Sequence, residues 1–138
     1  MQLLEPLEQL EIKEEQFRSQ VNSLSEVQRK GFYKLQSKKL KDPDSYAALN
    51  WFFLGGIHHF YLGKYTLFTI ELTLFIISLI GLFLDYSSFV YILILLSIYE
   101  LPQLFFSQKI VRQYNYNLSC EIFNEVNKLE RKTTLPAT

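Results

Sequence analysis

Cysteine is almost missing from this chain. Cys120 is the single one in 138 residues, which excludes an intramolecular disulfide and a cysteine-based metal cluster. Residues 1–26 carry six acids and two bases but no apolar run, so they are not a cleavable secretory signal. Arg29–Lys41 has no acid, and the connection Asp85-Tyr86-Ser87-Ser88 has no base. No nucleophile–base pair stands out either: Ser78, Ser87, Ser88, Ser97 and Ser107 read as helix-packing, loop or interface residues. Catalytic residues and a cofactor are therefore not expected.

Three apolar segments fill Tyr46–Phe106. Whole-chain numbers hide them, because 14 basic and 14 acidic residues and a mean hydropathy of +0.04 average a charged arm, an apolar middle and a polar tail. Segment 66–84 has Glu71 as its sole charge and segment 89–106 has Glu100. Each is about 27 Å long as a helix, against a hydrocarbon thickness of roughly 30 Å. The bases Arg29, Lys30, Lys34, Lys38, Lys39 and Lys41, with Lys64, Lys109 and Arg112, place both termini in the cytoplasm by the positive-inside rule. Segment 46–62, with Asn50, His58, His59 and Gly55-Gly56, is the poorest span and reads as a re-entrant or interfacial helix; three full spans are the alternative. The expected fold class is an all-α membrane protein: a transmembrane helical hairpin preceded by a re-entrant or interfacial helix, with amphipathic cytoplasmic helices at both termini. The expected divisions are a cytoplasmic arm (1–44), a membrane domain (45–108), and a C-terminal helix with a frayed tail (109–138).

In the arm, Leu3, Leu7, Leu10, Phe17, Val21 and Leu24 follow spacings of four and three, a short heptad-like stripe for a coiled coil or for packing on the chain itself. Ser23 or Ser25 can cap a second helix with Glu26 or Gln28 three residues on, and Asp42-Pro43-Asp44 should end it. In the tail, Ile122, Val126 and Leu129 form a matching apolar face. These two faces are the expected partner-binding residues.

Residues Gly56-Ile57-His58-His59-Phe60-Tyr61-Leu62-Gly63-Lys64 resemble the signature of the TM2 domain family of small membrane proteins. His58, Phe60, Tyr61, Gly63 and Lys64 match position for position, while His59 stands where that family usually has a base. The apolar stretch after Lys64 is longer than in a typical member. The resemblance implies membrane residence and a structured cytoplasmic corner, but no reaction.

On the residues themselves, Gly55, Gly56 and Gly63 allow a left-handed turn or close helix approach, and Phe60 and Tyr61 suit an interfacial belt. A corner cation, Lys64, His59 or His58, is expected to pair with Glu71 or Glu100, since an unpaired carboxylate in lipid is costly. For Glu100 a pore or proton-linked role and simple interfacial exposure are the alternatives. Adjacent His58 and His59 diverge by about 100° on a helix, and no third histidine exists, so no metal is expected. The function classes that remain are a non-enzymatic interaction or scaffold module, homo-oligomeric or with a protein partner; a membrane-disrupting or channel-forming effector; and an immunity-like inhibitor of a membrane-active toxin. The lipid bilayer is the expected partner, and nucleic acid is not.

Overall fold

The computed structural model describes residues 5–51 and 55–134, with the side chains of 129–134 excepted. Leu3 and the side chain of Leu129 therefore lie outside the described residues. The described elements are α1 (Leu7–Asn22), α2 (Glu26–Lys39), α3 (Pro43–Trp51), α4 (Ile57–Tyr61), α5 (Tyr65–Phe83), a 3-10 turn (Ser87–Phe89), α6 (Val90–Phe105) and α7 (Ser107–Thr134). They cluster into two compact units, one built from the chain up to Leu40 and from Arg112 onward, the other from Lys41–Val111.

The first unit is made by α1, α2 and the part of α7 beyond Val111. Helix α1 starts after Pro6, whose fixed φ suits a helix entry. Helix α2 starts at a capping box: Gln28 N donates to Ser25 Oγ at 3.3 Å while Ser25 N donates to Gln28 Oε1 at 2.9 Å. Val21, Phe32, Ile122 and Val126 form the core, and Phe17, Leu24, Leu35, Leu118 and Phe123 pack against it. Phe17 sits among three rings, with centroids 6.0 Å from Phe32, 5.9 Å from Tyr116 and 5.6 Å from Phe123. Each such side chain removed from water contributes about 1.5–3 kcal/mol, which ties the arm to the tail.

The second unit holds α3 to α6. Asp42 caps α3 by accepting from Ser45 N and Ser45 Oγ, both at 2.7 Å. Those bonds from Ser45 hold the Asp42 carboxyl below its ordinary pKa. Helix α4 is one short turn whose flanks pack against α3 and α5, and α5 packs in turn against α6. Between α5 and α6 the chain reverses through Asp85 at a φ of 63°, with Tyr86 N donating to Gly81 O at 3.0 Å.

Two expectations are corrected here. Segment 46–62 is not a re-entrant or interfacial helix: Tyr46, Asn50, His58, His59 and Leu62 are buried in protein, packed among α3, α4, α5 and α6. The two termini are not separate cytoplasmic amphipathic helices, because their apolar faces close on each other in one core. Two compact helical units, each with its own packing, replace the membrane hairpin with its flanking arms. Helix α5 and the stretch Ser87–Phe105 are long and apolar enough to cross a membrane, with their outer faces largely exposed. Length and composition are the whole of that case, so the multi-pass cell-membrane placement with cytoplasmic termini, and the bilayer as partner, are not retained.

Candidate functional site

The polar centre of the second unit is built at the α4 corner. Gly56 caps α4 in the left-handed region, at a φ of 75°. Any Cβ placed there would collide with Glu71 Oε2, so only glycine lets the backbone lie against that carboxylate. Gly63, at a φ of 71°, turns the chain out of α4 with open space around its Cα, and α5 begins two residues on. Lys64 N donates to His59 O at 2.9 Å, which fastens the exit of the corner.

This corner sets two histidines side by side. His58 and His59 are both buried, with ring centroids 4.1 Å apart and planes inclined by 43°. His58 meets the edge of Tyr46 from α3 at 5.4 Å. His59 turns toward α5, where its Nε2 stands 3.0 Å from Glu71 Oε1. The approach is close but poorly aligned with the ring N–H direction, so neither atom gains a proper hydrogen bond, and His58 Nε2 and Glu71 Oε2 also have no protein partner. One donor atom from each of His58, His59 and Glu71 falls within 4.8 Å of the others.

A second layer surrounds this cluster. Asn50 Nδ2 donates to Glu100 O at 3.3 Å, and Tyr46 Oη donates to Gln103 Oε1 at 3.3 Å. Burial pushes the Glu100 carboxyl up to about 7, helped by the negative charge of Glu71. Burial likewise drives His58 down to about 3, with His59 acting in the same direction and the Gln103 side chain opposing it. His58 is thus a neutral imidazole at neutral pH. Partial desolvation lowers the Lys64 pKa as well, although its side chain reaches the surface.

Of the corner residues singled out in the sequence, Gly55, Gly56, His58, His59, Glu71 and Glu100 are buried. Phe60 is exposed and packs on Tyr65 and Phe68, at 5.5 and 5.2 Å. Tyr61 Oη accepts from Asp42 N at 2.9 Å, and Lys64 is exposed. Tyr46 and Gln103 were missed; a tyrosine in an apolar segment and a glutamine behind Pro102 carry no signal until the helices are packed. The divergence of about 100° between adjacent side chains describes one helix face; here a one-turn corner covered on both flanks buries both rings, and an acid approaches from α5.

In the first unit, Leu10, Val21, Ile122 and Val126 are buried, Phe17 and Leu24 line the same core, and Leu7 is exposed. The interaction or scaffold module is therefore corrected: among the described residues its stripe, Leu7 apart, is consumed by intramolecular packing. The immunity-like inhibitor, conceived as a membrane protein, is corrected along with the membrane hairpin. The channel-forming effector is corrected too, since Glu100 is buried within its own unit instead of facing a path between copies.

No family model, no characterised protein and no solved structure matches this chain. The resemblance of residues 56–64 to the TM2 domain family is corrected on that finding and on the geometry, in which Gly56, His58, His59 and Leu62 are buried against protein while Phe60, Gly63 and Lys64 are exposed. Fold and site together define a class, an all-α protein with an imidazole–carboxylate cluster enclosed among four helices.

Proposed function

We propose that this is a non-catalytic binding protein whose ligand is a small cation, held at the polar centre of α3–α6. The observation that carries the reading is the convergence of His58, His59 and Glu71, all at least nine-tenths buried, on donor atoms within 4.8 Å that lack aligned protein partners. A buried donor or acceptor without a partner costs about 1–3 kcal/mol, and a bound cation offsets that cost at several atoms together. Glu100 senses the negative charge of Glu71 across the same interior. A positive ion relieves that repulsion where a neutral ligand does not. The cluster of His58, His59 and Glu71 includes no hydroxyl or thiol for the imidazoles to activate, which favours binding over chemistry.

The test is thermal unfolding of the purified, tag-free full chain after chelation, titrated separately with Na⁺, K⁺, Mg²⁺, Ca²⁺, Mn²⁺ and Zn²⁺ at constant ionic strength. At a hundredfold excess over Kd, a ligand specific to the folded state adds about 2.7 kcal/mol, a rise of roughly 5–10 °C for a domain of this size. A saturable rise with at least one cation is expected. No saturable rise with any of them overturns the reading.

A further inference from the structure

We infer that the cation is a divalent transition ion of the zinc class, ligated by His58 and His59 from the α4 corner and by Glu71 from α5. The inference rests on the cation-binding reading above and adds the identity of the ion and its ligands.

The donor set decides the class. Two imidazoles and one carboxylate are nitrogen-rich, borderline ligands, which suit Zn²⁺, Co²⁺ or Ni²⁺. Ca²⁺ takes six to eight oxygens and Mg²⁺ a near-octahedral oxygen shell, and two of the three donors here are nitrogen. Around a tetrahedral ion with bonds of 2.0–2.1 Å, ligand atoms stand about 3.4 Å apart. His59 Nε2 and Glu71 Oε1, at 3.0 Å, are already that close. The whole set lies within 4.8 Å and closes on an ion by small side-chain rotations.

Three further features fit. The close but misaligned approach of His59 to Glu71 is poor for a hydrogen bond, whereas two ligands of one ion need no such alignment. Around His58, the Tyr46–Gln103 contact supplies the outer polar support that metal-bound imidazoles use to fix ring orientation. Gly56 keeps the backbone low enough for the Glu71 carboxylate to reach the corner.

The chain has two histidines, His58 and His59, so in tag-free protein every histidine signature of metal binding reports on this site. The experiment combines equilibrium dialysis with Zn²⁺, the visible absorption of the Co²⁺-loaded protein, and NMR of histidine-labelled protein with and without Zn²⁺. One Zn²⁺ per chain is expected, with Co²⁺ bands of four-coordinate intensity and shifts in both imidazoles. H59Q and E71Q should each weaken Zn²⁺ at least a hundredfold, and Cys120→Ser should leave it unchanged. If E71Q fails to fold, the wild-type imidazole shifts still decide the matter. Zn²⁺ that binds without moving either imidazole, or no Zn²⁺ binding at all, overturns the inference. Stabilisation by Na⁺, K⁺, Mg²⁺ or Ca²⁺ alone also overturns it but leaves the cation-binding reading standing, while no response to any cation removes both.

Discussion

Arg112 grips Glu14 through a forked contact, with Nε 3.0 Å from Oε1 and Nη2 2.7 Å from Oε2, across 98 residues of sequence. Its Nη1 also reaches Glu11 Oε1 at 3.2 Å. The fork fixes the register of α1 on α7, and the Glu14 carboxylate, followed by that of Glu11, holds the guanidinium firmly in its charged form. The pair is part-exposed, so solvent discounts its strength. A double-mutant cycle with R112M and E14Q should give a coupling of about 0.5–1 kcal/mol that shrinks in high salt. A coupling indistinguishable from zero at low salt would show that the apolar core alone sets the register.

Phe17 is the apolar counterpart of that pair. Removing its ring by Phe17→Ala withdraws a partner from Phe32, Tyr116 and Phe123 together. Since Phe17 is half-buried, the expected loss is about 2–3 kcal/mol, below the range for a fully buried ring. Denaturant unfolding read by far-UV circular dichroism checks it, and a loss under 1 kcal/mol would mean that the ring lies on the core without supporting it.

Glycine replacement separates two roles at the corner. Gly63→Ala faces only the left-handed backbone, which costs about 1–2 kcal/mol, because nothing stands within 4 Å of the added carbon. Gly56→Ala carries the same backbone cost and also drives its methyl into the Glu71 carboxylate. It should therefore lose more stability and also displace Glu71, weakening Zn²⁺ in dialysis. Equal behaviour of the two variants would refute the account of Gly56 as the residue that admits the acid.

Glu100 gives the protein a pH dependence of definite sign. Its folded pKa, about 7, lies above the ordinary value of 4.5, so the folded state binds this proton more tightly than the unfolded chain does. The contribution is fully present below about 4.5 and is lost as pH rises through about 7. Glu71 from α5 and Tyr99 on α6 face the same interior, and Tyr46 from α3 senses both acids. In chelated protein, wild type should lose up to about 3 kcal/mol between pH 4.5 and 8 relative to Glu100→Gln. Parallel stability curves for the two proteins would place the Glu100 carboxyl in contact with water.

Much of the helical layout was legible from local chemistry. Ser25 with Gln28 is one of the two capping pairs the sequence offers, Asp42-Pro43-Asp44 marks the end of the helix that this pair starts, and the apolar runs around Glu71 and Glu100 emerged as α5 and α6. The stripe through Leu10, Phe17 and Val21 and the face through Ile122 and Val126 were equally visible as surfaces in need of cover. What periodicity could not supply was the cover itself. An amphipathic face specifies that it must be buried but not by what, and here each terminal helix answers the other. The site was less legible, because its members come from α3, α4, α5 and α6 and meet only through the tertiary packing of a one-turn corner.

The first unit is drawn from both ends of the chain, with Lys41–Val111 inserted between its parts. During synthesis, Glu14 and Phe17 leave the ribosome long before Arg112 and Phe123 exist. For that interval α1 and α2 have only each other to cover their apolar faces, and Leu118, Ile122, Phe123 and Val126, which complete the core, are still to be translated. The order of folding is thereby imposed by the order of the chain: the inserted unit can assemble from its own residues, while the terminal unit must wait for the tail. A pause in translation before α7 would prolong the exposure of Phe17, Val21 and Phe32, and it is during that wait that the protein most needs a chaperone.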